Sequence, residues 1–392
     1  MYDKLSSRYP AAGRRLRLGF VGGGCGSLVA QWHANGARLS GRWDIVAGAL
    51  SSDPETARQS GKDWLLAEER SYSDFAVMAS EEAARPDGID AVAICTPNFL
   101  HRPVAEAFMA AGIDIVCDKP VAMTREDCAA MAEMAEETGV VFAVTYPYAY
   151  HPMVVQAACM IADGAIGPVR QVMVEYAQDG RAGAFDPSIK QLAWRLDPAK
   201  GGRTATTGDI GTHAVHLMEF VTGQRIAKLR ADFHVCGGEK PMEDTSFINF
   251  RLENGAPGVM WLSQAAIGNT TGLRLRVYGE KGGIEWDHEM PEHLHVNMRN
   301  APRQTITRGA GAGMHPLAER MIRLPRGHGE ALSDAWANLY TEAAIAIEAR
   351  RDGHALEEGL LNLPMLAEGA RGVDFFHAAA DSNDSGGAWT SL

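Results

Sequence analysis

Gly19-Phe20-Val21-Gly22-Gly23-Gly24-Cys25-Gly26-Ser27 stands where an apolar run, Leu16 to Val21, gives way to a helical pattern reaching about Ser40. A strand that turns sharply into a helix through glycines lets the backbone approach a pyrophosphate closely. The phosphates then rest on the free N–H groups and positive dipole end of the helix. Gly22 and Gly24 match the first two positions of such a dinucleotide fingerprint, with Cys25 and Gly26 beside them. Ser27 stands at the third. The strand and helix on either side give the motif its weight, since a glycine run alone is weak evidence.

The pattern repeats outward from that turn. Ile45 to Leu50 reads as a second strand, and Pro54 to Leu66 as a helix capped by Asp53. Ala91 to Thr96, Ile113 to Cys117 and Val140 to Val144 are apolar strands. Helices His101 to Ala111 and Thr124 to Thr138 separate them, Thr124 serving as N-cap. Strands alternating with helices, and apolar along their whole length, imply a doubly wound parallel sheet buried on both faces. A Rossmann dinucleotide-binding domain over residues 1–146 is therefore expected.

From residue 147 to about 380 the rhythm changes. A helix from Met153 to Asp163 leads into Val169–Tyr176, Lys228–Val235, Ser246–Leu252, Gly258–Gln264 and Leu273–Gly279, with a helix from about Asp209 to Val221. Consecutive strands without crossover helices predict a large, mainly antiparallel open sheet in a substrate-binding and oligomerisation domain. Val172, Val174 and Tyr176 alternate with Gln171, Met173 and Glu175. Met173, Met260, Leu262 and Val277 suggest that the sheet's second face is not uniformly polar, which predicts a homodimer or homotetramer. Helices return at Glu330 to Arg350 and Pro364 to Ala379. The small polar tail, 381–392, reads as mobile.

At 392 residues the chain exceeds what one core usually supports, so two domains are the natural division. A net charge of −12 with scattered Lys and Arg argues against nucleic acid or an anionic membrane as partner. The twin arginine, Arg14 and Arg15, runs into a strand instead of the apolar stretch of an export signal. The six cysteines show no paired spacing, so a reducing, cytoplasmic setting is expected, with neither a disulfide framework nor a metal site.

Ligands of open parallel sheets bind at the carboxyl edge of the strands. At that edge lie Leu50-Ser51-Ser52, then Thr96-Pro97-Asn98 followed by His101, and finally Cys117-Asp118-Lys119-Pro120. No carboxylate sits at the second strand's tip to repel a ribose 2′-phosphate. Ser51, Ser52 and Arg58 could bind one, or the serines could simply lead into the Asp53 cap, so both NAD and NADP remain open. Further on, Gly208-Asp209-Ile210-Gly211-Thr212-His213 opens a helix with Asp209 and His213 four residues apart on one face. Such a pair can be a metal half-site, a cap, or a general base with its orienting carboxylate. His288, His293 and His295 lack the matched spacing of a metal site and read as a solvated loop.

The glycine turn, TPN-x-x-H, acid-Lys-Pro, G-D-x-x-x-H and the late GHGEALSDAWANLY segment together resemble the glucose–fructose oxidoreductase / inositol dehydrogenase / MocA family, across nearly the whole chain. The resemblance implies a catalytic triad of Lys119, Asp209 and His213. It implies substrate contacts from Tyr148, Trp194, Arg195 and His328, with Tyr150 nearby. NAD or NADP would be held along Gly22, Gly24, Cys25, Gly26, Ser51, Ser52, Thr96, Asn98, His101, Asp118 and Lys119. Two positions depart from the family: Asp118 is a methylene shorter than the usual Glu, and Ser27 replaces a glycine. The implied activity moves a hydride between a nicotinamide cofactor and a hydroxyl or carbonyl carbon of a sugar, sugar derivative or inositol, with no metal required. Two other chemistries fit the scaffold: an NAD-dependent glycosidase working through transient oxidation, and a non-catalytic dinucleotide sensor.

Overall fold

Leu16–Val21 (β1) carries Leu18 and Phe20 into full burial, each side chain contributing roughly 1.5–3 kcal/mol by leaving water. Around it form Leu28–Ser40 (α1), Trp43–Ala49 (β2), Pro54–Asp63 (α2), Phe75–Ala84 (α3), Ala91–Ile94 (β3), His101–Ala110 (α4), Asp114–Cys117 (β4), Arg125–Thr138 (α5) and Phe142–Val144 (β5). The strands form one parallel sheet in the order β2-β1-β3-β4-β5. Every residue of β3, β4 and β5 is buried, as expected for strands covered on both faces. The caps follow from the local sequence. Asp53 accepts from the Thr56 amide, Thr124 from the Asp127 amide, and Gly139 ends α5 at positive φ. Arg14 and Arg15 pair with Asp90 and Asp44, so the twin arginine has a structural use.

The computed structural model describes residues 13–186, 188–355 and 362–392. The first twelve residues, counted above with the Rossmann domain, lie outside the described residues. Compact units divide at Pro147/Tyr148. The helix Leu332–Arg351, however, belongs to the Rossmann unit and not to the second domain. Its Trp336 backbone lies so close to Gly36 of α1 that a Cβ at Gly36 would meet Trp336 Cβ at 2.9 Å. This helix carries apolar residues on every side and is buried from Ala335 to Ala349, so it needs a covering layer.

The second unit opens with Pro152–Ala162 (α6) and Val169–Ala177 (β6). Thr206–Asp209 (α7) and Gly211–Thr222 (α8) follow. Then come Ile226–His234 (β7), Thr245–Leu252 (β8), Pro257–Ser263 (β9), Gly272–Gly279 (β10), Gly282–Asp287 (β11), His293–Met298 (β12), Gln304–Thr307 (β13) and Thr390–Ser391 (β14). They make a nine-stranded sheet in the order β13-β12-β11-β10-β6-β9-β8-β7-β14. All its pairs are antiparallel except β6 with β9.

Three sequence expectations are corrected by this sheet. His293 and His295 lie within β12, and His288 is a half-buried residue of the turn directly after β11, so the three do not form a solvated loop. Alternation of Ile284 and Trp286 with Leu294 and Val296, all buried, is what makes strands there. Met260, Leu262 and Val277 sit on the inner face, because the register pairs them with Val174, Tyr176 and Val172; of the four named residues only Met173 faces outward. The tail is ordered: the last helix runs Leu366–Asp384, and Thr390 and Ser391 pair with Leu229 and Lys228.

Candidate active site

In the Rossmann unit the glycine turn is required by backbone proximity. Gly22 has φ +83°, and a Cβ there would lie 2.7 Å from Cys95 O and 3.0 Å from Thr96 N. A Cβ at Gly24 would lie 2.7 Å from Leu50 O, whose oxygen already accepts the Gly24 amide at 2.8 Å. Three strand tips therefore crowd around one turn that only glycine can line. This is the bare-backbone cradle, opening a helix, that a pyrophosphate needs. Ser27 is the N-cap of α1 with φ −76°, a conformation open to any residue, so the missing third glycine costs nothing in backbone strain. The Cys25 amide donates to Ser60 Oγ at 3.2 Å, tying the turn to α2.

At the second strand's tip Leu50 is buried, and Ser51 is the first half-exposed position. Ser51 Oγ accepts the Asp53 amide, and Asp53 caps α2. Hydrogen bonds from the Thr56 hydroxyl at 2.6 Å and the Thr56 amide at 2.8 Å hold the Asp53 carboxyl below the usual carboxylate range. At the third tip His101 is fully buried, its ring nitrogens 2.9 Å from Pro120 O and 3.0 Å from Thr96 O. Burial pushes its pKa down, so the neutral ring donates to one carbonyl at a time. His101 thus staples two strand tips through backbone.

Beside it, Asp118 Oδ1 accepts Thr145 Oγ1 at 3.0 Å and lies 3.7 Å from His33 Nε2. The other His33 nitrogen is 2.8 Å from the Tyr340 hydroxyl. Burial alone would raise the Asp118 carboxyl, but the His33 imidazole and the Lys119 charge outweigh it and hold it well below the ordinary range. The shortened acid is therefore engaged by groups of its own unit, and Lys119 follows it at the end of β4.

The second unit holds the other group. Asp209 ends α7 and His213 sits in the first turn of α8, with a break at Ile210 where one continuous helix was expected. The Asp209 carboxylate accepts Arg181 Nη2 at 3.0 Å and Gln264 Nε2 at 3.2 Å, both on Oδ2. Gln264 is held in turn: its Oε1 accepts Thr206 Oγ1 at 2.9 Å, and its Nε2 also reaches Gln178 Oε1 at 3.1 Å. The parallel pairing of β6 with β9 sets Ala177 opposite Ser263, which places Gln178 beside Gln264. Arg181 N then donates to Gln264 O at 2.7 Å.

Tyr148 is buried and shares a 2.6 Å hydrogen bond with the Tyr176 hydroxyl. Its ring meets His213 and His288 edge-on, each at 4.9 Å between centroids, and His151 lies 5.3 Å from His288. Burial raises Tyr148 to about 12, so it stays protonated, and lowers His288 to about 4, so that ring stays neutral. His151 is pushed well below its usual value by burial and by His288. The structure thus brings Tyr148, Asp209 and His213 into one polar cluster. Trp194 and Arg195 stack on each other at 4.6 Å, both half-buried. His328 is exposed, and its carbonyl accepts from Arg308. Sequence reading did not find Arg181, Gln178, Gln264, Tyr176, His151 or the use of His288. No local motif marks them, because sheet register brings them together.

Comparison with known proteins agrees with this anatomy. Residues 16–146 match the model of the oxidoreductase family with an NAD-binding Rossmann fold, and residues 154–285 match the GFO/IDH/MocA C-terminal domain. An uncharacterized oxidoreductase of Bacillus subtilis is 34% identical, over 96% of this chain and 97% of its own. Levoglucosan dehydrogenase of Pseudarthrobacter phenanthrenivorans is 27% identical, over 91% and 93%. The crystal structure of an inositol dehydrogenase homolog from Azotobacter vinelandii, complexed with NAD+, superposes with TM-score 0.92 at 34% identity, covering 98% of each chain. A crystal structure of an inositol dehydrogenase homolog from Azotobacter vinelandii, complexed with NADH and myo-inositol, gives 0.88 at 33%, covering 97% of this chain and 98% of its own. The chain belongs to the GFO/IDH/MocA oxidoreductase family and is a nicotinamide-dependent dehydrogenase or reductase.

Proposed function

We propose that the enzyme oxidises one secondary hydroxyl of a cyclitol or pyranose-like sugar, with Lys119, Asp209 and His213 acting on the same substrate. The observation that carries this reading is the Asp209 carboxylate, fixed by two donors, four residues before His213 at the start of a helix. When bound, the nicotinamide supplies the hydride chemistry that no side chain here can perform. The chain's own groups handle the proton and the charge. His213 takes the proton of the reacting hydroxyl as general base. Lys119 donates to the same oxygen and stabilises the negative charge that builds on it. Asp209 orients the His213 ring or a second hydroxyl. In the reverse direction His213 returns the proton.

The glycine turn around Gly22 and Gly24 holds the pyrophosphate; Thr96, Asn98 and Lys119 line the nicotinamide side, and Ser51 and Ser52 the adenosine ribose. Trp194, Arg195 and Tyr148 shape the sugar pocket. Cytoplasmic residence fits six cysteines that form no disulfide.

The test is absorbance at 340 nm with purified protein, NAD+ and NADP+, and a panel of myo-inositol, levoglucosan, xylose and glucose. Myo-inositol leads the panel because an Azotobacter homolog was crystallised with it. Net reduced cofactor with any member supports the reading. Glycoside cleavage without net reduction, or silence across cyclitols and sugars in both directions, overturns it.

A further inference from the structure

Asp209 owes its placement to a residue outside the motifs. Arg181 lies in the turn after β6, and its side chain is only 7% exposed. One guanidinium nitrogen, Nη2, donates to Asp209 at 3.0 Å. The other, Nη1, is buried without a hydrogen-bond partner. The arginine cannot drift, because its amide donates to Gln264 O at 2.7 Å and its carbonyl accepts Lys240 Nζ at 2.8 Å. Lys240 is itself locked on buried Asp244 at 2.7 Å. Burial disfavours the guanidinium charge most, and Arg195 adds to that. Asp209, Glu243 and Asp244 offset it, and Asp209 alone of these three accepts a hydrogen bond from the side chain. A buried N–H with nothing to donate to is costly, and natural sites keep one where a ligand completes it.

We propose that Arg181 is a bifunctional site residue: Nη2 positions Asp209 as a carboxylate, and Nη1 donates to a substrate oxygen. The inference rests on the function proposed above. A planar fork serves both tasks at once, whereas a lysine ammonium is a single point donor.

The experiment compares wild type with Asp209→Asn, Arg181→Gln and Arg181→Lys. It follows kcat and KM for myo-inositol with NAD+ across pH, together with the 13C carboxyl titration of Asp209, assigned through Asp209→Asn. In Arg181→Gln the loss of the neighbouring positive charge moves the Asp209 titration, and the acid limb of kcat/KM, to higher pH by about one to three pH units. Turnover falls about 10²-fold as the carboxylate loses its register. In Arg181→Lys the titration stays near wild type, while KM for myo-inositol rises several-fold. An Asp209 titration unmoved in Arg181→Gln overturns the positioning role, and an unchanged KM in Arg181→Lys overturns the substrate contact. If Arg181→Gln does not fold, as a melt would reveal, Arg181→Lys decides through KM. If myo-inositol is not turned over, the carboxyl titration decides. Wild-type turnover in Asp209→Asn sinks the catalytic reading itself, whatever Arg181 does.

Discussion

At the scale of single residues, the site pairs a fixed carboxylate with an imidazole whose ring is packed edge-on by Tyr148. Replacing the base, His213→Ala, should lower turnover by about 10²–10⁴-fold while dinucleotide binding, followed by fluorescence of the reduced cofactor, persists. Turnover within a few-fold of wild type would remove His213 from proton transfer. Nearby histidines make a separate prediction about stability. Burial lowers His288 to about 4 and His216 to about 3, and depresses His151 strongly as well. In the unfolded chain each binds a proton near pH 6.5, whereas the folded rings stay neutral. Below that pH the unfolded state holds more protons, so stability falls with falling pH, from about 6.5 down through the folded values. The melting temperature should drop across pH 6.5 to 4.5, and His288→Gln should flatten part of that slope. A variant whose slope matches wild type would show that His288 does not carry this linkage.

At the scale of elements, strand tips decide cofactor choice. Leu50 is buried, so Ser51 is the first position past β2 that a ribose could reach, one residue later than the end of the apolar run suggests. Ser51→Asp would place a carboxylate there, repelling a 2′-phosphate and accepting from ribose hydroxyls. The ratio of kcat/KM for NADP+ over NAD+ should fall, and an unchanged ratio would put the ribose elsewhere.

The same scale explains what was legible in the sequence. Each β-α step of the first unit is written locally, in caps such as Asp53, Thr124 and Gly139 and in fully apolar strands. Lys119, Asp209 and His213 stand out in the sequence as candidates because each lies in a short motif at an element's end. Strands β11 to β13 were not legible, because histidines and charged residues alternate with only two buried apolar side chains in each of β11 and β12, and β13 carries one apolar residue, Ile306. Arg181, Gln264 and His288 could not be read at all, since only the β6–β9, β6–β10 and β10–β11 registers place those strand ends side by side.

At the scale of the whole molecule, the outer face of the nine-stranded sheet poses the remaining question. Register lines up Asp232, Phe247, Trp261, Glu175, Arg274 and Asp287 across six strands, and Arg230, Asn249, Val259, Met173, Arg276 and Glu285 in the next row. The middle of this face is apolar, with Phe247 48% and Val259 40% exposed beside half-buried Trp261 and Met173. Its flanks are charged, with Arg276 and Arg274 bonded to Glu175 and Asp287. An apolar centre inside a polar rim is the anatomy of an interface, and monomers seldom leave such a patch in water. A twofold axis through the centre would set Phe247, Val259, Trp261 and Met173 against their own copies and leave the ion pairs at the margin. Light scattering at micromolar concentration should therefore give twice or four times the chain mass of 42.2 kDa. Phe247→Asp combined with Val259→Asp places two carboxylates at the centre of the patch without touching the inner face, and should yield a folded species of lower mass. A wild-type mass of one chain, or an assembly indifferent to both substitutions, would mean that this face is solvated and that any association uses another surface.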